Sequence, residues 1–87
     1  MAASSRTELR TGAQLRAARA LAKLDKEQLY ALSGVSPNTI RRLEEDDGPL
    51  QARKSTILAL ESVLTAHRVE FWNDGAPGAR LRLPVAA

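Results

Sequence analysis

The sequence predicts a mainly α-helical protein: a compact four-helix domain over residues 11–68, followed by a short C-terminal β-hairpin over residues 69–83. Two observations carry this prediction. Through the first range, apolar residues recur every three to four positions, which is the spacing of amphipathic helices. After residue 68, the segments VEFW and ARLRL alternate apolar and polar side chains around the loop NDGAPG, a pattern typical of a hairpin.

The composition excludes several classes of protein. The 87 residues include no cysteine, so disulfides and thiolate metal sites are ruled out. No apolar run approaches ~18 residues and no secretory segment is present, so we expect no membrane span and a cytoplasmic location. Without a glycine-rich phosphate loop, an HExxH motif or Cys/His ligand spacing, we expect no enzyme activity, cofactor, metal or small-molecule ligand. We expect residues 1–10 to form a disordered arm and residues 84–87 a tail.

The first two helices carry capping signals. Thr11 is a plausible N-cap for the first helix. Asp25 followed by Gln28 three residues later forms a capping box at the start of the second helix. Gly34 follows that helix directly and can adopt the left-handed conformation that ends a helix and turns the chain. The spacing therefore predicts two helices joined to a third by a tight turn.

The third helix begins with Ser36 as N-cap and Pro37 at the first helical position, where a missing N–H costs nothing. At about 100° per residue, Ile40 and Leu43 share one face. Asn38, Arg41, Arg42 and Glu45 then lie on or beside the opposite face. One side of this helix thus anchors it, while the other offers amide and guanidinium groups.

A fourth helix is predicted at roughly 54–67, after a turn at Gly48-Pro49. Leu50 is expected to reach the core. The inner stripe of this helix is predicted to consist of Ile57, Leu60, Val63 and Leu64.

The stretch LRAARALAKLDKEQLYALSGVSPNTIRRLEE resembles the Cro/repressor-type (Xre) helix-turn-helix family of short bacterial regulators. The resemblance covers residues ~12 to 65. It implies a lambda-repressor-like fold with its motif at 26–45 and its recognition helix at 37–45. The chain departs from the family pattern in four places. Lys26 replaces the usual glutamine, Tyr30 replaces a small residue where two helices approach, Lys23 replaces a common helix-ending glycine, and the run EEDDG replaces residues that often contact phosphate. We expect the Tyr30 ring to pack between elements.

This resemblance and the two-sided third helix indicate a transcriptional regulator that binds double-stranded DNA in sequence-specific fashion. Base edges would be contacted by Pro37, Asn38, Thr39 and Arg42. Phosphates would be contacted by Lys26, Ser36, Arg41, Arg53 and Lys54.

Arg19 lies only about 40° from Leu15 around the first helix, close to its apolar face. A guanidinium group at this position either reaches solvent at the end of its extended aliphatic side chain or forms an ion pair inside the protein. The resemblance implies a pair with Glu44, and we predict that structural ion pair.

The hairpin is predicted to form a homodimer that reads a near-palindromic operator; the other possibility is that it caps its own helical core and that the protein dimerises only on DNA. Its contacts would come from Val69, Phe71, Trp72, Leu81 and Leu83. The alternative is an antitoxin-like protein-interaction module that keeps the fold and binds DNA weakly, which the acidic run EEDDG and the replaced glutamine favour slightly.

Overall fold

The computed structural model describes residues 8–83 and contains four helices and a two-stranded antiparallel sheet within that range. The predicted fold class is confirmed. The elements are α1 (Gly12–Leu21), α2 (Lys26–Ser33), α3 (Pro37–Glu45), α4 (Lys54–Ala66), β1 (Val69–Trp72) and β2 (Gly78–Leu81). The longest helix, α4, has 13 residues, so no helix in the described range has the length and apolar character of a bilayer span.

The predicted capping residues start the helices. At α1, Thr11 Oγ1 accepts the N–H of Gln14 at 3.1 Å, and Gln14 Oε1 accepts the N–H of Thr11 at 3.0 Å. Asp25 and Gln28 make the same reciprocal pair at α2, at 2.8 and 2.9 Å. Each box satisfies two N–H groups that a helix start leaves without partners.

The turn between α2 and α3 is also as predicted. Gly34 has φ 79°, a left-handed conformation, and its N–H donates to Tyr30 C=O at 2.8 Å. Ser36 then caps α3 by accepting the N–H of Thr39 at 3.2 Å, with Pro37 as the first helical residue. The turn and cap together fix the direction in which α3 leaves α2.

The hairpin and the helices share one hydrophobic core. Leu50 and Ile57 pack against its edge, as the sequence predicts. Its buried members are Leu9, Leu15, Ala18, Leu29, Ile40, Leu43, Leu60, Leu64, Val69 and Phe71.

The side-chain amide of Gln14 joins the hairpin to the start of α1. Its Oε1 accepts the N–H groups of Arg10 and Thr11, at 2.8 and 3.0 Å. Its Nε2 lies 3.1 Å from Trp72 C=O and 3.1 Å from Gly78 C=O, one at each end of the hairpin loop. Gln14 is buried, and all its polar atoms have partners, so it holds the loop in one position.

Two expectations from the sequence are wrong. Leu9 is only 2% exposed, and its N–H donates to Glu61 Oε1 at 2.9 Å, so the disordered arm predicted for residues 1–10 does not include residues 8–10. Residues 1–7 and the predicted tail at 84–87 lie outside the described residues. Tyr30 is 46% exposed and does not pack between elements, because it lies about 100° around α2 from the buried Leu29.

The first turn of α1 lies against the end of α3. Gly12 N–H donates to Gly48 C=O at 2.9 Å, and Leu50 N–H donates to Arg10 C=O at 2.9 Å. A Cβ atom on Gly12 would overlap the carbonyl oxygens of Leu43 and Asp46. Only glycine permits this backbone-to-backbone approach.

We expect Gly12→Ala to lower the free energy of unfolding by about 1–3 kcal/mol, because two main-chain carbonyls must move to admit the methyl group. Urea denaturation measures the loss. Gly48→Ala is the matched control, since its Cβ would meet only the Asp46 carboxylate, at 3.3 Å, and that side chain can turn away. Equal stability of Gly12→Ala and the parent would contradict the close approach.

Candidate nucleic-acid interface

The two sides of α3 differ as the sequence predicts. Ile40, Leu43 and Glu44 are buried against the rest of the domain. The side facing solvent exposes Asn38, Arg41, Arg42 and Glu45. The helix is therefore held along one side, while its other side is free to contact a ligand.

The hydroxyl groups at the start of α3 are already engaged with each other. Ser36 Oγ donates to Thr39 Oγ1 at 3.0 Å while capping the helix. Thr39 and Pro37 are half-buried, whereas Asn38 is exposed between them. The first turn thus exposes the amide of Asn38 between the mostly apolar surfaces of Pro37 and Thr39.

A polar notch of about 560 Å³ lies between α3 and the start of α4. Arg42 and Arg53 both line it, and Arg42 Nη1 donates to Gln51 C=O at 3.4 Å. Thr39 and Thr56 complete its polar lining, and none of the lining side chains in the described chain is acidic. The notch therefore concentrates positive charge next to the exposed side of α3. The sequence does not single out Gln51 and Thr56 as lining residues, since scattered polar residues follow no periodic pattern.

The other predicted phosphate contacts are not gathered in this notch. Lys26 is half-buried at the first position of α2. Arg41 lies 3.5 Å from Glu45, an exposed pair one helical turn apart. Lys54 lines a different groove of about 510 Å³, with Leu50 and Leu58. The structure thus brings together Thr39, Arg42 and Arg53, and leaves Lys54 apart from them.

The carboxylates of the run EEDDG have intramolecular partners. Asp46 Oδ1 accepts the N–H of Gly48 at 2.9 Å and closes the turn. Asp47 pairs with Arg16 at 2.7 Å, and Glu45 pairs with Arg41. Together with Glu44, which pairs with Arg19, the run stabilises the end of α3 and does not form an unpaired acidic patch.

The predicted ion pair between Arg19 and Glu44 is present and joins α1 to α3. Arg19 Nε lies 2.7 Å from Glu44 Oε2 and Nη2 lies 2.9 Å from Oε1, a two-bond arrangement. The third donor, Nη1, reaches Leu24 C=O at 3.1 Å. These hydrogen bonds to Glu44 raise the pKa of Arg19 above its ordinary value, even though burial acts in the opposite direction. Arg16 adds a bond to Glu44 C=O at 2.7 Å.

A family model, HTH_3, described as helix-turn-helix, matches residues 15–69, more than half of the chain. The chain belongs to the Cro/Xre-type helix-turn-helix family. Neither a curated protein nor a solved structure matches it. This family consists of DNA-binding regulators and is typically non-enzymatic, so the protein is a DNA-binding helix-turn-helix regulator. In this Cro/Xre-type domain, α2 and α3 are the helix-turn-helix pair, and α3 is the second helix of the motif.

The hairpin of this Cro/Xre-type protein corrects the predicted dimer contacts. Val69 and Phe71 are 2% and 1% exposed, because their side chains complete the protein's own core. Their side chains therefore have no surface to offer a second copy, and that part of the prediction is wrong. Leu81 packs against the same core and is half-buried. Trp72 and Leu83 are the two predicted contacts that remain exposed.

We expect Glu44→Gln to lower the free energy of unfolding by about 3 kcal/mol, because it leaves the Arg19 guanidinium, 18% exposed, without its anionic partner. Thermal or urea unfolding measures the change. The matched control is Glu45→Gln, which removes an exposed pair and should cost less than about 1 kcal/mol. If the two variants unfold alike, the Arg19–Glu44 pair does not hold α1 to α3.

Proposed function

We propose that this protein is a sequence-specific regulator of transcription that places α3 in the major groove of double-stranded DNA and acts as a homodimer, most simply as a repressor. The observation that carries the proposal is the two-sided α3. Its inner side is held to α1 by a buried ion pair, and its outer side exposes an amide and a guanidinium one turn apart. Such a helix is rigid enough to read base edges. Binding to chromosomal DNA would place the protein with the nucleoid in the cytoplasm.

Base reading falls to the exposed side of α3. The amide of Asn38 suits the N6 and N7 atoms of adenine, and the fork of Arg42 suits the O6 and N7 atoms of guanine. The half-buried Pro37 and Thr39 offer apolar contact to a thymine methyl group. In helix-turn-helix proteins the N-terminal residues of the second helix reach the bases, which agrees with the position of Asn38 in the first turn.

Phosphate contacts are assigned to the cations and N–H groups around α3. Arg53 lines the notch, Lys54 begins α4 and Lys26 begins α2. Arg41 and Ser36 lie on α3 and at its cap. These contacts fix the position of the protein on the duplex and make its affinity depend on salt.

A homodimer doubles the number of base contacts. Two recognition helices about 34–36 Å apart read a near-palindromic operator on one side of the duplex. A dimer on an operator that overlaps a promoter competes with RNA polymerase for the same DNA, which is why we propose repression.

The alternative function is a protein-interaction module with the same fold. The EEDDG run and the replaced glutamine favour it slightly, but each of the four carboxylates in that run has a partner inside the protein. What remains in its favour is Lys26 in place of the family's glutamine. Binding that depends on DNA sequence as well as on salt separates the two functions.

Selection of bound duplexes from a random pool with the purified protein tests the proposal. Enrichment of a near-palindrome with half-sites one helical turn apart is the expected result. Recovery of unrelated sequences, with binding that depends on salt alone, would favour the interaction module.

On the selected site, we expect Asn38→Ala and Arg42→Ala each to weaken binding by about 1–3 kcal/mol and to relax preference at one base pair. Lys26→Ala should weaken binding to all duplexes alike and reduce the slope of affinity against salt, because it acts on phosphate. Titrations with the selected site and with single-base variants measure both effects. An Arg42→Ala protein that keeps its full preference would contradict the assignment of Arg42 to a base.

A further inference from the structure

A cleft of about 390 Å³ lies where the C-terminal ends of α1 and α4 meet β2. Lys23, which follows α1, lines it together with His67 and Arg68, which follow α4. Leu21 and Leu81 supply apolar lining, and no acidic residue of the range 8–83 lines the cleft. The cleft therefore places positive charge beside apolar surface, and it shares no residue with the notch next to α3.

The two cations of this cleft both have a left-handed backbone. Lys23 has φ 58° and Arg68 has φ 67°, and among residues 8–83 no other residue except glycine has a positive φ. In this conformation the Cβ atom crowds the following carbonyl oxygen, so glycine usually occupies such positions. Backbone strain of this kind is frequent at binding sites. At both positions the chain thus carries a charged side chain where glycine would suit the backbone better.

Capping of the two helices does not require these charges. The N–H of Lys23 donates to Ala20 C=O at 3.1 Å, and the N–H of Arg68 donates to Thr65 C=O at 3.0 Å. Carbonyls at both helix ends are therefore satisfied by backbone groups, as is common where a helix ends in a left-handed residue. A glycine at either position would donate the same N–H.

Neither cationic side chain has a partner inside the described part of the protein. Within residues 8–83, the side chains of Lys23 and Arg68 form no hydrogen bond and no ion pair. The remaining arginines and lysines of this range either lie within 4 Å of a carboxylate or are assigned above to DNA. Two like charges that line one cleft repel each other, and an anion bound between them would reverse that effect.

We propose that this cleft binds a small phosphate-bearing molecule, in addition to the DNA contacts of α3. The guanidinium fork of Arg68 suits two phosphate oxygens, and the ammonium group of Lys23 supplies a second charge. The apolar lining strengthens both contacts because it lowers the local dielectric constant. The volume of the cleft is that of a small-ligand site. The ligand is a free molecule and not the DNA backbone, because no residue of α2 or α3 lines the cleft.

Titration of the full-length protein with inorganic phosphate, followed through the NMR shifts of backbone amides, tests the site. Sodium chloride keeps the ionic strength constant, so that general screening does not contribute. We expect saturable shifts at the N–H groups of Lys23, Arg68 and their neighbours, with a Kd of about 1 mM or lower. Shifts that do not saturate by roughly ten times that concentration would overturn the proposal.

Lys23→Gly and Arg68→Gly remove each charge and suit the left-handed backbone. We expect each to weaken phosphate binding roughly tenfold or more, which corresponds to the loss of a hydrogen bond to a charged group. Without phosphate, the Tm of each variant should equal or exceed that of the parent, because glycine adopts this conformation without strain. Arg10→Gln is the matched control, since it removes an exposed cation outside the cleft and should keep the affinity for phosphate.

Three further outcomes would overturn the proposal. Unchanged phosphate affinity in both glycine variants, with a lower Tm, would show that the two charges act on the helix dipoles. An equal loss of affinity in Arg10→Gln would show that phosphate responds to net charge alone. In phosphate-free buffer, Lys23→Gly should bind duplex DNA with the parent's slope of affinity against salt, and a slope reduced by about one would assign Lys23 to a DNA phosphate. The NMR titration contains no DNA, so its result does not depend on operator recognition.

Discussion

The contact between α1 and α3 determines what the rest of this structure can do. A helix that contacts a ligand with one side must keep one orientation, yet α3 has only nine residues, of which three are buried. Burying Ile40 and Leu43 sets which side faces inward, but apolar contacts alone allow a helix to rotate and slide. The bidentate contact between Arg19 and Glu44 is directional, so it restricts rotation of α3 about its own axis. The close approach at Gly12 fixes the end of α3 along α1.

This arrangement also explains the use of charge in a small protein. Four consecutive carboxylates at the end of a helix are unfavourable for its dipole and for a DNA-binding surface. Here they serve as acceptors: Glu44 and Asp47 hold arginines of α1, and Asp46 closes the turn that leads to Gln51 and Arg53. The result is a notch whose lining is cationic although the adjacent chain is acidic. Local sequence charge and local surface charge therefore differ at this site.

The sequence predicted most of the fold, because its signals are local. Caps at Thr11, Asp25 and Ser36, the glycine at 34 and the helical periodicity act within a few residues, and each is present in the structure. The ion pair required the family resemblance, since nothing local links positions 25 residues apart. The errors concern tertiary packing. Leu9 is part of the core, where its N–H is bound by Glu61 of α4, and Tyr30 is 46% exposed because it lies about 100° around α2 from the buried Leu29. The sequence predicted the base contacts on α3 and the notch residue Arg53, whereas Gln51 and Thr56 became neighbours of Arg42 only through the path of the loop.

The position of Gln14 has a consequence for how the molecule can be divided. Its buried amide is shared between the first helix and both ends of the hairpin loop, and Val69 and Phe71 complete a core that the helices leave open. The helical domain and the hairpin are therefore one cooperative folding unit, although the family pattern covers mainly the former. Deleting the strands would expose Leu60 and Leu64 and leave an amide without partners, so the remainder would not behave as an intact DNA-reading domain. The two parts are not interchangeable modules, and a hairpin taken from a relative would have to bring its own partner for position 14.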